Sequence, residues 1–395
     1  MISIEEAQNI ILEQSRSFGV EEVSIQEAQG RVLAEGIYAD RDYPPFNRSS
    51  MDGFAVQSHD LRGGTKQLQL IEQLMAGKKA TRKVVSGTCI QIMTGAPVPP
   101  GADSVVKVEV TEVIGEMIQF NTDEVKTGQN IAKQGEDATL GQKLVDKGVF
   151  CGPAEIGALA VTGMHRVKVY RLPEVAIIST GDEVVEVSQP IQPQQIRDSN
   201  RYVLQSFLKK YKVELNQNLL INDDRELLTE AISSVLDRDI IILTGGVSMG
   251  KADYVPEVLI SLGVIKLFHK VKMKPGKPLW FGRTPGGGAV FGLPGNPLSC
   301  QVAFKLFIET YLRECFELPK LKPLKLALKE HKKKSTPLDE LFPCKFDWMD
   351  NIGLKSIPFN GSGDVTATIG SDGLALHKGS ISDIKEGTLI EFYPW

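Results

Sequence analysis

Two short segments concentrate the residues best suited to hold an oxyanion. Lys272-Met273-Lys274-Pro275-Gly276-Lys277-Pro278 sets three ammonium groups in a stiff Pro/Gly frame, and Gly292-Leu293-Pro294-Gly295-Asn296-Pro297-Leu298-Ser299 adds a second such turn ending on a hydroxyl. Positive charge, backbone N–H and hydroxyl on rigid turns suit a phosphorylated or oxyanionic ligand. A second set is acidic: Asp52, Asp137, Glu183, Asp223 and Asp253 each sit in a glycine-rich or turn setting. A hard cation such as magnesium is bound through one or two carboxylates plus substrate phosphates, so lysines together with acids point to metal-assisted phosphate chemistry. A third segment, Gly245-Gly246-Val247-Ser248-Met249-Gly250-Lys251, fits the spacing of a nucleotide phosphate loop, but Ala252 stands where Ser or Thr would hold magnesium. Its glycines still let backbone come close to a ligand, and Ser248 adds a hydroxyl.

Residues 173–315 alternate buried-type strands with helices. Val175–Ser179, Leu219–Ile221 and Asp239–Leu243 read as strands, and segments beginning at Asn200, Arg225 and Val255 read as helices, with Asp198-Ser199-Asn200 as a cap. This rhythm predicts a doubly wound, mostly parallel α/β sheet. Thr180–Glu183, Asn222–Asp224 and Thr244–Gly250 then follow strands, where such sheets bind ligands. Residues 4–16 and 22–28 carry a helical pattern, 43–139 breaks into short β runs, and 140–168 returns to helix near Ala154–Val161. After Pro319 a basic linker leads to a tail with Gly/Ser turns that reads as a small β-barrel or sandwich. The expected domains are 1–43 with 140–170 as one discontinuous unit, 44–139 as a β-rich insertion, 171–318 as the α/β domain and 319–395 as the C-terminal β domain.

Composition removes several classes. The chain has 395 residues with 45 basic against 49 acidic, a formal net charge of -4, and no strongly basic domain, which argues against nucleic acid. No apolar run is long enough to span a membrane, and Glu5 and Glu6 stand where a secretory signal would be basic and then apolar, so a cytoplasmic protein is expected. Five cysteines without CxxC spacing give neither a disulfide framework nor a zinc site, and five scattered histidines form no ligand set.

The segments Arg41–Val56, Met93–Pro99, Gly135–Asp137, Ser179–Glu183 and Thr244–Ser248, with the two Lys/Pro/Gly loops, resemble in order the molybdopterin molybdenumtransferase family, which includes MoeA and the gephyrin E domain. The resemblance runs from about residue 5 to 315 and is looser in the tail, where Gly361-Ser362-Gly363 carries it. It implies an enzyme that takes adenylylated molybdopterin and molybdate and, with magnesium, inserts the metal as AMP leaves. It also implies a homodimer in which the β-rich domain of one chain faces the α/β and C-terminal domains of the other, and other cofactor-assembly proteins are further partners to expect. Carried over position by position, the resemblance assigns Asp52, Asp137, Lys274 and Lys277 to catalysis and Glu183 and Asp223 to the metal. Substrate binding falls to Thr94, Asp253, Lys270, Ser299 and Ser362, with Pro294 and Pro297 shaping a loop, and the glycine-loop reading above adds Gly245, Gly246 and Ser248.

Two departures stand out. The family generally places an arginine on an early strand of the C-terminal domain, whereas this chain reads Phe342-Pro343-Cys344-Lys345-Phe346, and Lys345 lacks the arginine fork. Arg48-Ser49 stands where small or acidic residues are common in the family. Two other classes fit the same residues: a pterin-binding scaffold without the insertion chemistry, and an adenylyltransferase, for which the β-rich segment and tail would be surplus.

Overall fold

A computed structural model describes the chain except residues 64–65, 123, 248–253 and 349–350. The chain forms two compact units, residues 1–34 with 147–152 and 166–395, and residues 35–146 with 153–165.

The larger unit is built on a six-stranded sheet in the order Leu215–Ile221, Val175–Thr180, Ile240–Thr244, Ala289–Leu293, Trp280–Arg283, Ile265–His269. The first four strands are parallel, and Trp280–Arg283 runs antiparallel to both of its neighbours. Val175–Thr180 and Ile240–Thr244 are buried along their whole length, because both faces of the sheet are covered. Ile177, Ile240, Ile242 and Phe291 pack on one side with Leu204 and Leu208 of the helix Asn200–Lys209. Ile178, Ile241, Leu243 and Val290 pack on the other with Leu228 and Ile232 of Arg225–Ser233 and Val258 and Leu259 of Val255–Ser261. The doubly wound sheet expected from the alternation is present, with two antiparallel strands appended at one edge.

A continuous helical segment runs from Pro297 to Cys315 with a π turn at Phe304–Ile308. The Leu306 carbonyl accepts from Gln8 Nε2 at 3.0 Å and Thr310 Oγ1 at 2.8 Å, which satisfies backbone that the wider turn frees. The first helix, Ile4–Gln14, starts in a capping box between Ser3 and Glu6. Residues 22–28 are not helical: Val20–Ser24 is a strand paired antiparallel with Arg166–Tyr170, and turns follow it. The cross-strand ladder outweighs a helical periodicity too short to be stable alone.

The tail closes into a five-stranded barrel, of the two forms that its turns allowed. Asp339–Asp347, Gly353–Ser356, Leu324–Leu328, Leu389–Pro394 and Gly373–His377 pair in that order, and the last returns to the first. Phe342, Leu354, Ala375 and Phe392 belong to its core. The short strand Met273–Lys274 adds in parallel to Asp339-Glu340, so the lysine loop is held against the barrel by backbone hydrogen bonds.

The smaller unit carries a second six-stranded sheet, in the order Ser104–Lys107, Gly53–Val56, Thr88–Ile92, Lys66–Leu74, Met117–Phe120, Thr111–Ile114. Phe54 and Phe120 meet edge to face at 5.9 Å in its core. The helix Pro153–Val161 falls where the sequence placed one.

Candidate active site

Two cavities of the larger unit share Pro278, Pro294 and Asn296 in their walls. The smaller, about 290 Å³, is lined by Lys274, Gly276, Lys277, Ser299, Glu340 and Ser362 among others. Gly276 takes φ +96°, and a Cβ there would lie 2.6 Å from Met273 Cε, so the turn that presents Lys277 requires glycine. Both lysines are exposed, and among the described residues neither is held in an ion pair. Ser299 is buried in the first turn of the helix that starts at Pro297, where the macrodipole adds positive potential.

The larger cavity, about 520 Å³, lies at the carboxyl ends of the parallel strands. Thr180, Glu183, Asp223, Gly245 and Gly246 line it. Thr180 Oγ1 donates to Asp223, and Asp182 accepts from the Asp223 N–H at 3.1 Å, so the acids at two strand ends are tied together. Gly245 and Gly246 have positive φ, and a Cβ on Gly245 would lie 2.3 Å from the Thr180 carbonyl oxygen. Part of the glycine requirement is therefore the close approach of two strand ends, besides any approach of a ligand. Among the described residues no group of three or more His, Cys, Asp or Glu is disposed to hold a metal by itself. Ser248 and Asp253 lie outside the described residues.

The loop between Pro294 and Pro297 is clamped from both sides. Asn200 Nδ2 donates to the Gly295 carbonyl at 2.6 Å, and Asn296 Nδ2 donates to Ser362 Oγ at 2.9 Å. Sequence reasoning read Asp198-Ser199-Asn200 only as a cap. Asp198 does accept from the Arg201 N–H, at 3.1 Å, but Asp198, Ser199 and Asn200 also all line the larger cavity. Arg201, nearly fully buried, pairs with Glu186 at 2.5 Å and holds that carboxyl below its usual range. Asn200, Asn296 and Glu340 were the residues missed. The Asn-Pro turn was a signal for Asn296, whereas Glu340 reaches the wall only through its pairing beside Lys274.

The remaining predicted residues fall elsewhere. Lys270 lines neither cavity; it takes φ +75° between the edge strand and the lysine loop. Lys345 is exposed opposite Lys355 and lines neither cavity. Asp52, Thr94 and Asp137 belong to the smaller unit. Asp52 Oδ1 accepts from the Thr94 N–H at 2.6 Å and from Thr94 Oγ1 at 2.8 Å, and these donors hold its carboxyl below the usual range. Asp137 lies 3.9 Å from Arg48, both largely exposed, a loose pair contributing little.

Residues 2–163 match the family described as the MoeA N-terminal region (domain I and II), and residues 176–314 match a probable molybdopterin binding domain. A molybdopterin molybdenumtransferase of Staphylococcus epidermidis is 32% identical over 99% of this chain and 94% of its own length, and one of Staphylococcus aureus is 31% identical over the same shares. Two crystal structures of the molybdopterin biosynthesis MoeA protein from Pyrococcus horikoshii superpose at TM-scores of 0.83 and 0.87, with 30% and 27% identity, covering all of this chain and 99% and 100% of theirs. With full-length similarity in sequence and fold, the chain belongs to the molybdopterin molybdenumtransferase family.

Proposed function

We propose that the chain inserts molybdate into adenylylated molybdopterin with release of AMP. The observation that carries this reading is the pair of adjoining cavities: one offers Lys274, Lys277 and Ser299, the other Glu183, Asp223 and the Gly245-Gly246 turn, and Pro278, Pro294 and Asn296 stand between them. Lysines and a helix N-terminus suit molybdate and phosphate oxygens. Strand-end carboxylates suit a phosphate-bound cation, and the larger volume suits a pterin joined to a nucleotide.

Magnesium fits this donor set as a shared ligand rather than a caged one. Glu183 and Asp223 face one cavity, and a cation that keeps its waters and binds substrate phosphates needs only one or two carboxylates. Bound there, it would supply charge neutralisation at the pyrophosphate. The chain's own work is to orient: Asn200 and Ser362 fix the Pro294–Pro297 loop, Lys274 and Lys277 draw the oxyanion, and Ser299 donates or accepts at the helix start.

The family resemblance supports two further parts of the proposal. The protein acts in the cytoplasm as a homodimer, and Asp52, Thr94 and Asp137 of one chain serve the reaction of the other. Incubation with adenylylated molybdopterin, magnesium and molybdate tests the whole reading: AMP appears only when molybdate is added. Absence of release with intact pterin binding would leave a scaffold, and consumption of ATP would indicate an adenylyltransferase.

A further inference from the structure

A third cavity of the larger unit, about 360 Å³, shares no lining residue with the two described above. Gln14, Arg16, Ile265, Leu267, Arg283 and the Pro285–Gly287 turn contribute to its wall. Along the chain, the strand Trp280–Arg283 leads from Lys277-Pro278 to the Arg283 end that lines this cavity. Arg16 follows the first helix, and its Nη2 donates to the Gly286 carbonyl at 3.1 Å. Arg283 ends its strand and donates from Nη1 to Gln14 Oε1 at 3.1 Å and from Nη2 to the Gly287 carbonyl at 2.9 Å.

The two guanidinium groups converge on Gly287. A Cβ there would lie 2.5 Å from Arg16 Nη1 and 2.6 Å from Arg283 Nη2, so the glycine leaves room for both. Among the described residues no acid lines the cavity, and the arginine ion pairs involve Arg31, Arg48, Arg166, Arg171, Arg201 and Arg238 instead. Carbonyl and amide oxygens satisfy single N–H groups but bring no negative charge, so two permanent cations converge with no ion-pair partner and with donors to spare. Such a pair is matched to the bidentate geometry of a phosphate or carboxylate. Beside it, Leu267 and the 64% exposed Ile265 give an apolar wall.

We infer that Arg16 and Arg283 form a second anion site, which takes the phosphate or carboxylate of a small molecule whose apolar part rests on Ile265 and Leu267. Titration calorimetry at fixed ionic strength tests this, with inorganic phosphate and propionate as separate probes. The parent is Lys274→Ala/Lys277→Ala, in which the active-site cations are gone. Binding should persist in that parent and weaken at least about ten-fold on adding Arg16→Gln or Arg283→Gln, as expected for loss of a charge-assisted bond. The tighter of the two probes identifies the head group. Arg16→Gln alone, in the otherwise natural chain, should leave molybdate-dependent AMP release unchanged. Should Arg283→Gln fail to fold, the exposed Arg16 decides by itself. Absence of binding by both probes in the parent, or an isotherm that Arg16→Gln leaves unaltered, overturns the inference.

Discussion

Removing the Lys274 ammonium is the most direct perturbation of the proposed oxyanion cavity. Lys274 is exposed and lines the cavity beside Lys277, so its truncation leaves the core untouched, and the unfolding free energy should stay within about 0.5 kcal/mol of the natural chain's. A hydrogen bond to a charged group is worth about 1.5–3 kcal/mol, or roughly 10- to 150-fold in affinity. Exposure puts Lys274→Ala near the lower end of that range and makes the loss shrink as salt rises. Glu340 gives the opposite sign in the same cavity: an ionised carboxylate opposes an oxyanion, so Glu340→Gln should tighten molybdate binding while Lys274→Ala weakens it. Calorimetric titration of molybdate into each folded variant, at low and high salt, measures both. Equal affinity in all three proteins would show that the charge in this cavity has no part in holding molybdate.

Asp223→Asn and Glu183→Gln should each raise the magnesium concentration needed for half-maximal AMP release; coincident titrations with the natural chain would remove these acids from the metal role. Gly245→Ala should destabilise by about 2 kcal/mol or more, from the positive φ and the clash with the Thr180 carbonyl, read as a fall in the urea midpoint. Asp52 has a folded-state pKa below its unfolded value, so what it adds to stability is complete above the unfolded value and is lost as pH falls through the folded one, below about pH 4. It should therefore add no limb to the pH profile of AMP release above that range, and Thr94→Val, lacking the hydroxyl donor, should move its titration upward by carboxyl NMR. Mixed dimers of one Asp52→Ala chain and one Lys274→Ala chain should regain up to about half of natural activity while both parents stay low, since two-fold symmetry leaves one site intact; a mixed dimer no better than its parents would place the two residues in separate sites.

What the sequence disclosed followed the range of the interactions involved. The strands Val175–Thr180 and Ile240–Thr244 were readable because burial on both faces leaves a short, mostly apolar run rich in β-branched residues. Lys274, Lys277, Pro294 and Ser299 were readable because Pro/Gly turns advertise themselves locally, and Ser362 because its own Gly-Ser-Gly turn carries the family pattern. The antiparallel edge Trp280–Arg283 and Ile265–His269 had no comparable mark, since each is short and Ile265 and Lys266 are exposed. Residues 22–28 misled for the opposite reason: their periodicity is local, while the ladder with Arg166–Tyr170 that decides their state crosses a long stretch of chain. Glu340 and Asn200 belong to the same class, because each reaches the site through a partner distant in sequence.

The position of Glu340 changes how the C-terminal departure from the family should be understood. Lys345 sits opposite Lys355 on the barrel and lines neither cavity. The barrel strand instead brings an acid to the cavity that Lys274 and Lys277 line, and backbone pairing of Met273-Lys274 with Asp339-Glu340 fixes the acid beside the loop. An arginine would add a cation with a bidentate fork; the carboxylate subtracts one unit of charge. In the proposed function oxyanion attraction would then rest on two exposed lysines, the helix start at Pro297 and Ser299, with the Asn296–Ser362 bond holding the turn before that helix. A site so constituted depends more on loop geometry and ionic strength than one anchored by a half-buried arginine, because exposed ammonium groups are screened and point in no fixed direction unless the turn holds them. The Pro/Gly frame from Lys274 to Pro278 and the clamp on Pro294–Pro297 are therefore as much a part of the binding chemistry as the charges they carry.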